Sequence, residues 1–82
     1  MKLERHQRVA LKRDFPEYQL QRGDIVTLID YVPHPNGEEE GCVLEVFNAV
    51  GESIRVVAVP ASAVEPLRAD EVMTVRPLAQ PA

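Results

Sequence analysis

Cys42, the single thiol of the chain, is the first side chain to weigh as a reagent. A nucleophilic cysteine needs a neighbouring base and an electropositive setting that lowers its pKa. Cys42 instead opens the run Cys42-Val43-Leu44-Glu45-Val46-Phe47, where an outward Glu45 turns Cys42, Leu44 and Val46 to one inner face. Buried packing is the reading that follows. His6 sits among basic residues and His34 lies between Pro33 and Pro35, and neither has a second ligand at metal spacing. No metal site is expected.

Carboxylates offer two further candidates. Glu38-Glu39-Glu40 lacks the alternating Asp/Asn ligands of a calcium loop, so it reads as a solvated loop tip that can steer a basic partner. Asp14, Glu17 and Asp24 lie near Tyr18 and Arg22, where an acid and base pair could in principle work. Capping turns and pairing with arginine is their more ordinary role. With no paired His, Cys or carboxylate motif, the residues give an enzyme or a cofactor site no support.

The segments that would position these residues are short and punctuated by Pro and Gly. Val9 and Leu11 alternate with polar neighbours, as in a half-buried strand. Residues 13–24 form a long excursion from which Phe15, Tyr18 and Leu20 can fold back on a core. After Gly23 comes a second strand, Ile25 to Val32, whose polar Thr27 and Asp30 stand three apart. Both reach water only if an extra residue intervenes, so a bulge is expected near Val26. Asn36-Gly37 marks the turn of a hairpin loop. A third strand runs from Cys42 to Phe47, a tight turn occupies Asn48 to Gly51, and a fourth strand spans Ser53 to Val59. Pro60 ends it. Ala61-Ser62-Ala63 fits one turn of 3-10 helix, and Val64 to Leu67 a short closing strand. Val72-Met73-Thr74-Val75 also has strand character.

This order predicts an all-β fold: a small, partly open, SH3-like barrel of about five strands with a 3-10 turn before the last strand. The expected organisation is a basic arm at 1–6, the barrel at 7–67 and a C-terminal extension at 68–82. Three blocks then arrive in one register: Val9-Ala10-Leu11, the run Asp14-Phe15-Pro16-Glu17-Tyr18 continuing through Leu20 to Arg22-Gly23-Asp24-Ile25, and Pro60-Ala61-Ser62. On these residues the chain resembles, over about 7–67, a family of small bacterial proteins called domain of unknown function 4926. The resemblance implies an SH3-like barrel without an established activity, and members that look like immunity or antitoxin proteins. It brings no catalytic or cofactor residues. Val26 departs from the family's usual Gly, and the loop around Asn36-Gly37 and the tail after Leu67 look like additions.

Apolar residues suggest where binding would occur. Val56-Val57-Ala58-Val59 offers apolar side chains to both faces of the fourth strand, although a small barrel covers only one. Val57 and Val59 are therefore candidates for an outer surface covered by the tail, a second protomer or a partner. Phe15 and Tyr18, on the loop that borders the ligand groove of SH3-like barrels, are candidates too.

Size and charge bound the rest. Eighty-two residues allow one thin core, and one cysteine allows no internal disulfide, so stability invites a second copy or a partner. The longest early apolar run, Val9-Ala10-Leu11, is too short for a signal core or a membrane span, and a cytoplasmic protein is expected. Residues 1–22 hold six Lys/Arg and three Asp/Glu, whereas residues 23–82 hold three and ten. An acidic body repels phosphate backbones, so nucleic acid would depend on Lys2, Arg5, Arg8, Lys12 and Arg13 alone. The leading expectation is a non-catalytic protein-binding module, in the form of an immunity or antitoxin-like inhibitor. Its alternative is an accessory subunit that self-associates into a homo-oligomer.

Overall fold

Thr27 and Asp30 do share the outer face of one strand, and the chain reconciles their spacing with a β-bulge. The structure, a computed structural model, describes residues 3–33 and 39–78. In it β1 (Arg8–Leu11), β2 (Ile25–Val32), β3 (Gly41–Phe47), β4 (Ser53–Pro60) and β5 (Val64–Pro66) form one antiparallel sheet in the order β4-β3-β2-β1-β5. Single 3-10 turns occupy Pro16–Tyr18 and Ala61–Ala63, the second of them leading directly into β5. The fold is all-β, and the sheet does not close: β4 and β5 are its edges. Among the described residues no helix is long and apolar enough to cross a membrane.

The bulge lies at Ile29 and not near Val26. β2 pairs with β1 through Ile25, Val26 and Thr27, then with β3 from Thr27 to Val32, and the register slips between Leu28 and Asp30. The extra residue falls in the half of the strand that has left β1 and must bend toward β3. Val26 stands in regular pairing with Val9 and is buried, so its backbone makes no demand for glycine.

The core is built from the inner faces of these strands. Val9, Leu11, Val26, Leu28, Cys42 and Leu44 are sealed from water, and Phe15, Leu20, Val46, Val57, Val59, Ala63 and Val64 complete the cluster. Each such side chain contributes roughly 1.5–3 kcal/mol of burial. Cys42 is packing, as its alternation predicts.

The excursion after β1 is pinched shut by its own backbone. Phe15 and Leu20 exchange hydrogen bonds of 2.9 and 3.1 Å, Gly23 N–H donates to the Leu11 carbonyl at 2.8 Å, and Leu11 N–H donates to the Asp24 carbonyl at 3.0 Å. Gly23 makes this return with φ +91°, a conformation in which a side chain would be strained. The carboxylates of Asp14 and Asp24 accept from Arg22 N–H and Gln21 N–H, each at 2.8 Å, and so act as turn caps.

Both flanks of the strand region are anchored. His6 N–H donates to the Leu28 carbonyl at 2.5 Å, and Arg5 pairs with Asp30 at 3.0 Å, which lays the start of the chain along β2. Hydrogen bonding from Tyr31 N–H, aided by Arg5, holds the Asp30 carboxyl below its usual pKa. After β5 the tail turns at Arg68–Glu71, where Arg68 pairs with Asp70 at 2.9 Å, and travels back to the first loop. Val72–Val75 is not a strand: Pro66 ends β5 without an N–H to offer, and residues 72–75 make no backbone hydrogen bond among the described residues.

Candidate protein-interaction surface

β4 alternates, and its alternation assigns each residue to one of two environments. Val57 lies opposite Leu44 and Val59 opposite Cys42, so both follow those inner residues into the core, 5% and 3% exposed. The sequence reading placed Val57 and Val59 on the outer surface; they are core residues. The outer face of β4 belongs to Val56 and Ala58, joined at the strand's start by Ile54. Val56 is 56% exposed, and no described segment covers it.

The backbone of β4 obeys the same alternation. Ala61 N–H donates to the Glu40 carbonyl at 2.9 Å, which makes Pro60 and Gly41 a non-hydrogen-bonded pair of the antiparallel ladder. Stepping back along the register, Val59, Val57 and Arg55 direct their N–H and C=O groups toward β3. Val56 and Ala58 therefore direct theirs away from the sheet, at an edge where no strand is paired among the described residues. The residues with unpaired backbone are also the residues with outward apolar side chains.

The tip of the β3–β4 hairpin extends this strip and is rigidly built. Asn48 Oδ1 accepts from Val50 N–H at 3.1 Å and Glu52 N–H at 2.9 Å, while Asn48 N–H donates to the Glu52 carbonyl at 2.9 Å. Gly51 completes the turn at φ +87°. Held this way, Val50 is 80% exposed, and Phe47 and Ile54 stand partly exposed near it. Sequence reasoning missed Phe47, Val50, Ile54 and Val56. The parity that turns Val57 inward and Val56 outward is set by a register shift beside the turn, where Phe47 pairs with Ser53 but Val46 with Arg55 and Ile54 is the extra residue, and nothing in the sequence announces it.

The first-loop aromatics are less available. Phe15 is buried in the core, Tyr18 is half-buried, and their rings stack with centroids 6.2 Å apart. The Arg13 guanidinium lies 5.6 Å from the Phe15 ring centre. Arg55 projects past the end of the core and donates to the Tyr18 carbonyl, tying β4 to this loop.

Of the three glutamates, Glu38 lies outside the described residues, as does His34. Glu39 is exposed, but its carboxylate is engaged: it accepts from Ser62 N–H at 2.9 Å and Ser62 Oγ at 3.0 Å. Those bonds, the backbone one foremost, hold the Glu39 carboxyl below its usual pKa. Glu40 is half-buried and contributes its carbonyl to Ala61. An open groove of about 600 Å³ lies between Leu3, Lys12, Tyr31, Glu40, Ala61 and Glu65, lined by both signs of charge.

The family model of a domain of unknown function, DUF4926, matches residues 5–66. The chain belongs to this family. No curated protein and no solved structure matches it. The DUF4926 match takes in all five strands and the first loop, including Asp24, and stops at Pro66. Arg76, which pairs with Asp24, lies beyond the DUF4926 region.

Proposed function

We propose that this chain is a non-catalytic protein-binding module whose contact strip is the β4 edge with the hairpin tip beside it. One observation carries the reading: Val56 and Ala58 present unpaired backbone groups and uncovered apolar side chains together. An edge of that kind can accept a strand from another chain, main-chain hydrogen bonds supplying affinity and alternate side chains supplying selectivity. Within this class, an immunity or antitoxin-like inhibitor would use the acidic remainder of the body to draw in a basic toxin, and would place β4 against it. Nucleic acid fits the chain less well, because Arg5 is committed to Asp30 and the body is acidic.

The test is capture from the native host by the tagged chain and by its Val56→Lys variant. Val56 faces Glu45 across the β3–β4 ladder, so a lysine there gains a cross-strand partner and leaves the fold intact. Discrete proteins held by the parent chain and lost from the folded variant are the expected result. An unchanged set of captured proteins would remove β4 from the interface.

A further inference from the structure

The β4 edge also carries information about what fills it. We infer that it pairs antiparallel with the β4 edge of a second copy of this chain, making a closed two-fold dimer with one sheet running through both molecules. The inference rests on the reading of β4 as the contact strip and names its partner.

Charge is the first argument for a second copy. Residues 23–82 hold three Lys/Arg against ten Asp/Glu, yet residues 53–63 hold Arg55 and no carboxylate. Two copies of an acidic body repel one another by most approaches. Approach by β4 brings together the longest carboxylate-free stretch of that body.

Register is the second argument. Outward backbone groups are set by the ladder at Val56 and Ala58, and the alternation is interrupted by the register shift at Ile54, so self-pairing must be centred to engage those two even positions. With Val56 opposite Val56 of the second copy, each donates N–H to the other's carbonyl, and Ala58 lies alongside Ile54, the extra residue of the β4 register shift. Arg55 then faces Val57, and no like charges oppose. Shifting the centre to Val57 would set Ile54 against Pro60, which has no N–H to give. Shifting it to Arg55 would set two guanidiniums against each other. The Val56-centred register also continues the outer apolar row of Ile54, Val56 and Ala58 into its mate. It carries each hairpin tip, with Val50, toward the Pro60–Ala61 end of the other copy.

The second edge of the sheet decides the stoichiometry. β5 has only three residues, ends in Pro66 and carries Glu65, which is a blunted edge. A chain with one open edge closes on itself as a pair, whereas two open edges would propagate into a filament.

Sedimentation velocity over a wide concentration range tests this on the full chain, on Val56→Pro and on Val56→Lys. Proline at 56 removes an outward N–H without touching the bonds to β3, and two lysines would meet across the two-fold axis. The expected result is a reversible dimer for the parent chain, with dissociation constants raised at least tenfold in both variants while circular dichroism stays that of the parent. If Val56→Pro does not fold, Val56→Lys decides alone. A parent chain that stays monomeric at every concentration overturns self-pairing. The contact-strip reading survives that result if Val56→Lys still loses host proteins in the capture experiment, and falls with it if capture is unchanged. A dimer equally strong in the folded variants, or growth beyond two copies, also overturns the proposal.

Discussion

Arg76 grips Asp24 from 52 residues away: its Nε donates to Oδ1 at 2.9 Å, its Nη2 to Oδ2, and the same Nη2 donates to the Gln19 carbonyl at 3.1 Å. The two side chains are 29% and 17% exposed, which places the pair between a surface and a buried bridge. Donating hydrogen bonds to Asp24 raises the Arg76 pKa against an opposing effect of burial. The pair is the clasp by which the C-terminal tail is fastened to the first loop.

Breaking the clasp from either side should have unequal consequences. Arg76→Ala loses one charge-assisted fork and should cost about 1 kcal/mol. Asp24→Ala loses the fork and also the cap on Gln21 N–H, and should cost about 2 kcal/mol. Both variants should be cut faster by a nonspecific protease within residues 71–78, because the tail is freed from the first loop. Lysine at 76 cannot reproduce the two-pronged geometry and should behave more like alanine than like arginine. Equal stability and unchanged cleavage in all three variants would show that the tail is held by something else.

How far the sequence foretold this arrangement depended on which residues spoke for a face. Val9, Leu11, Cys42, Leu44 and Val46 alternate with polar neighbours, so their inward direction could be read directly. The same holds for Phe15 and Leu20, whose loop contains no other large apolar side chain except Tyr18. β4 was ambiguous because Val56, Val57, Ala58 and Val59 are all apolar, and because Arg55 shares the parity of Val57 and Val59. A charge at that parity argues for an outward face. The structure resolves the conflict by length: β4 outruns the core, and Arg55 sits where inward no longer means buried. The tail clasp was illegible for another reason, since nothing local to Arg76 points to Asp24.

The two faces of β4 yield a direct comparison. Val57→Ala empties part of the core and should cost about 1.5–3 kcal/mol in urea unfolding. Val56→Ala, on the outer face, should change stability by less than about 0.5 kcal/mol. Measured at the lowest protein concentration that gives a signal, the contrast reports the orientation of the strand alone. Equal costs would contradict this division of faces, and a larger cost at Val56 would mean that β4 is turned the other way.

Cys42 provides a probe of opening that needs no substitution. Its side chain is inaccessible in the folded chain, so an aromatic disulfide reagent should react only as fast as the core opens. Reaction should become immediate in denaturant. Fast, complete labelling under native conditions would contradict the packing of β3 against β4.

The link between Glu39 and Ser62 should make stability depend on acid. Ser62 holds the folded-state pKa of Glu39 below its ordinary 4.5, so at moderately acidic pH the unfolded chain binds a proton that the folded chain refuses. Stability from this contact is therefore fully present above that ordinary value and is lost as pH falls through the lower folded value. Asp30 acts in the same direction from its ordinary 3.8, through Tyr31 N–H and Arg5. Glu39→Gln keeps an oxygen for Ser62 but removes the titration, so its unfolding midpoint should fall less steeply with acidification than that of the parent chain. Ser62→Ala should flatten the dependence partially, because the Ser62 N–H remains to stabilise the carboxylate. Thermal unfolding of the three chains between neutral pH and pH about 3 distinguishes these slopes, and identical slopes would show that Glu39 does not hold the loop to the second 3-10 turn.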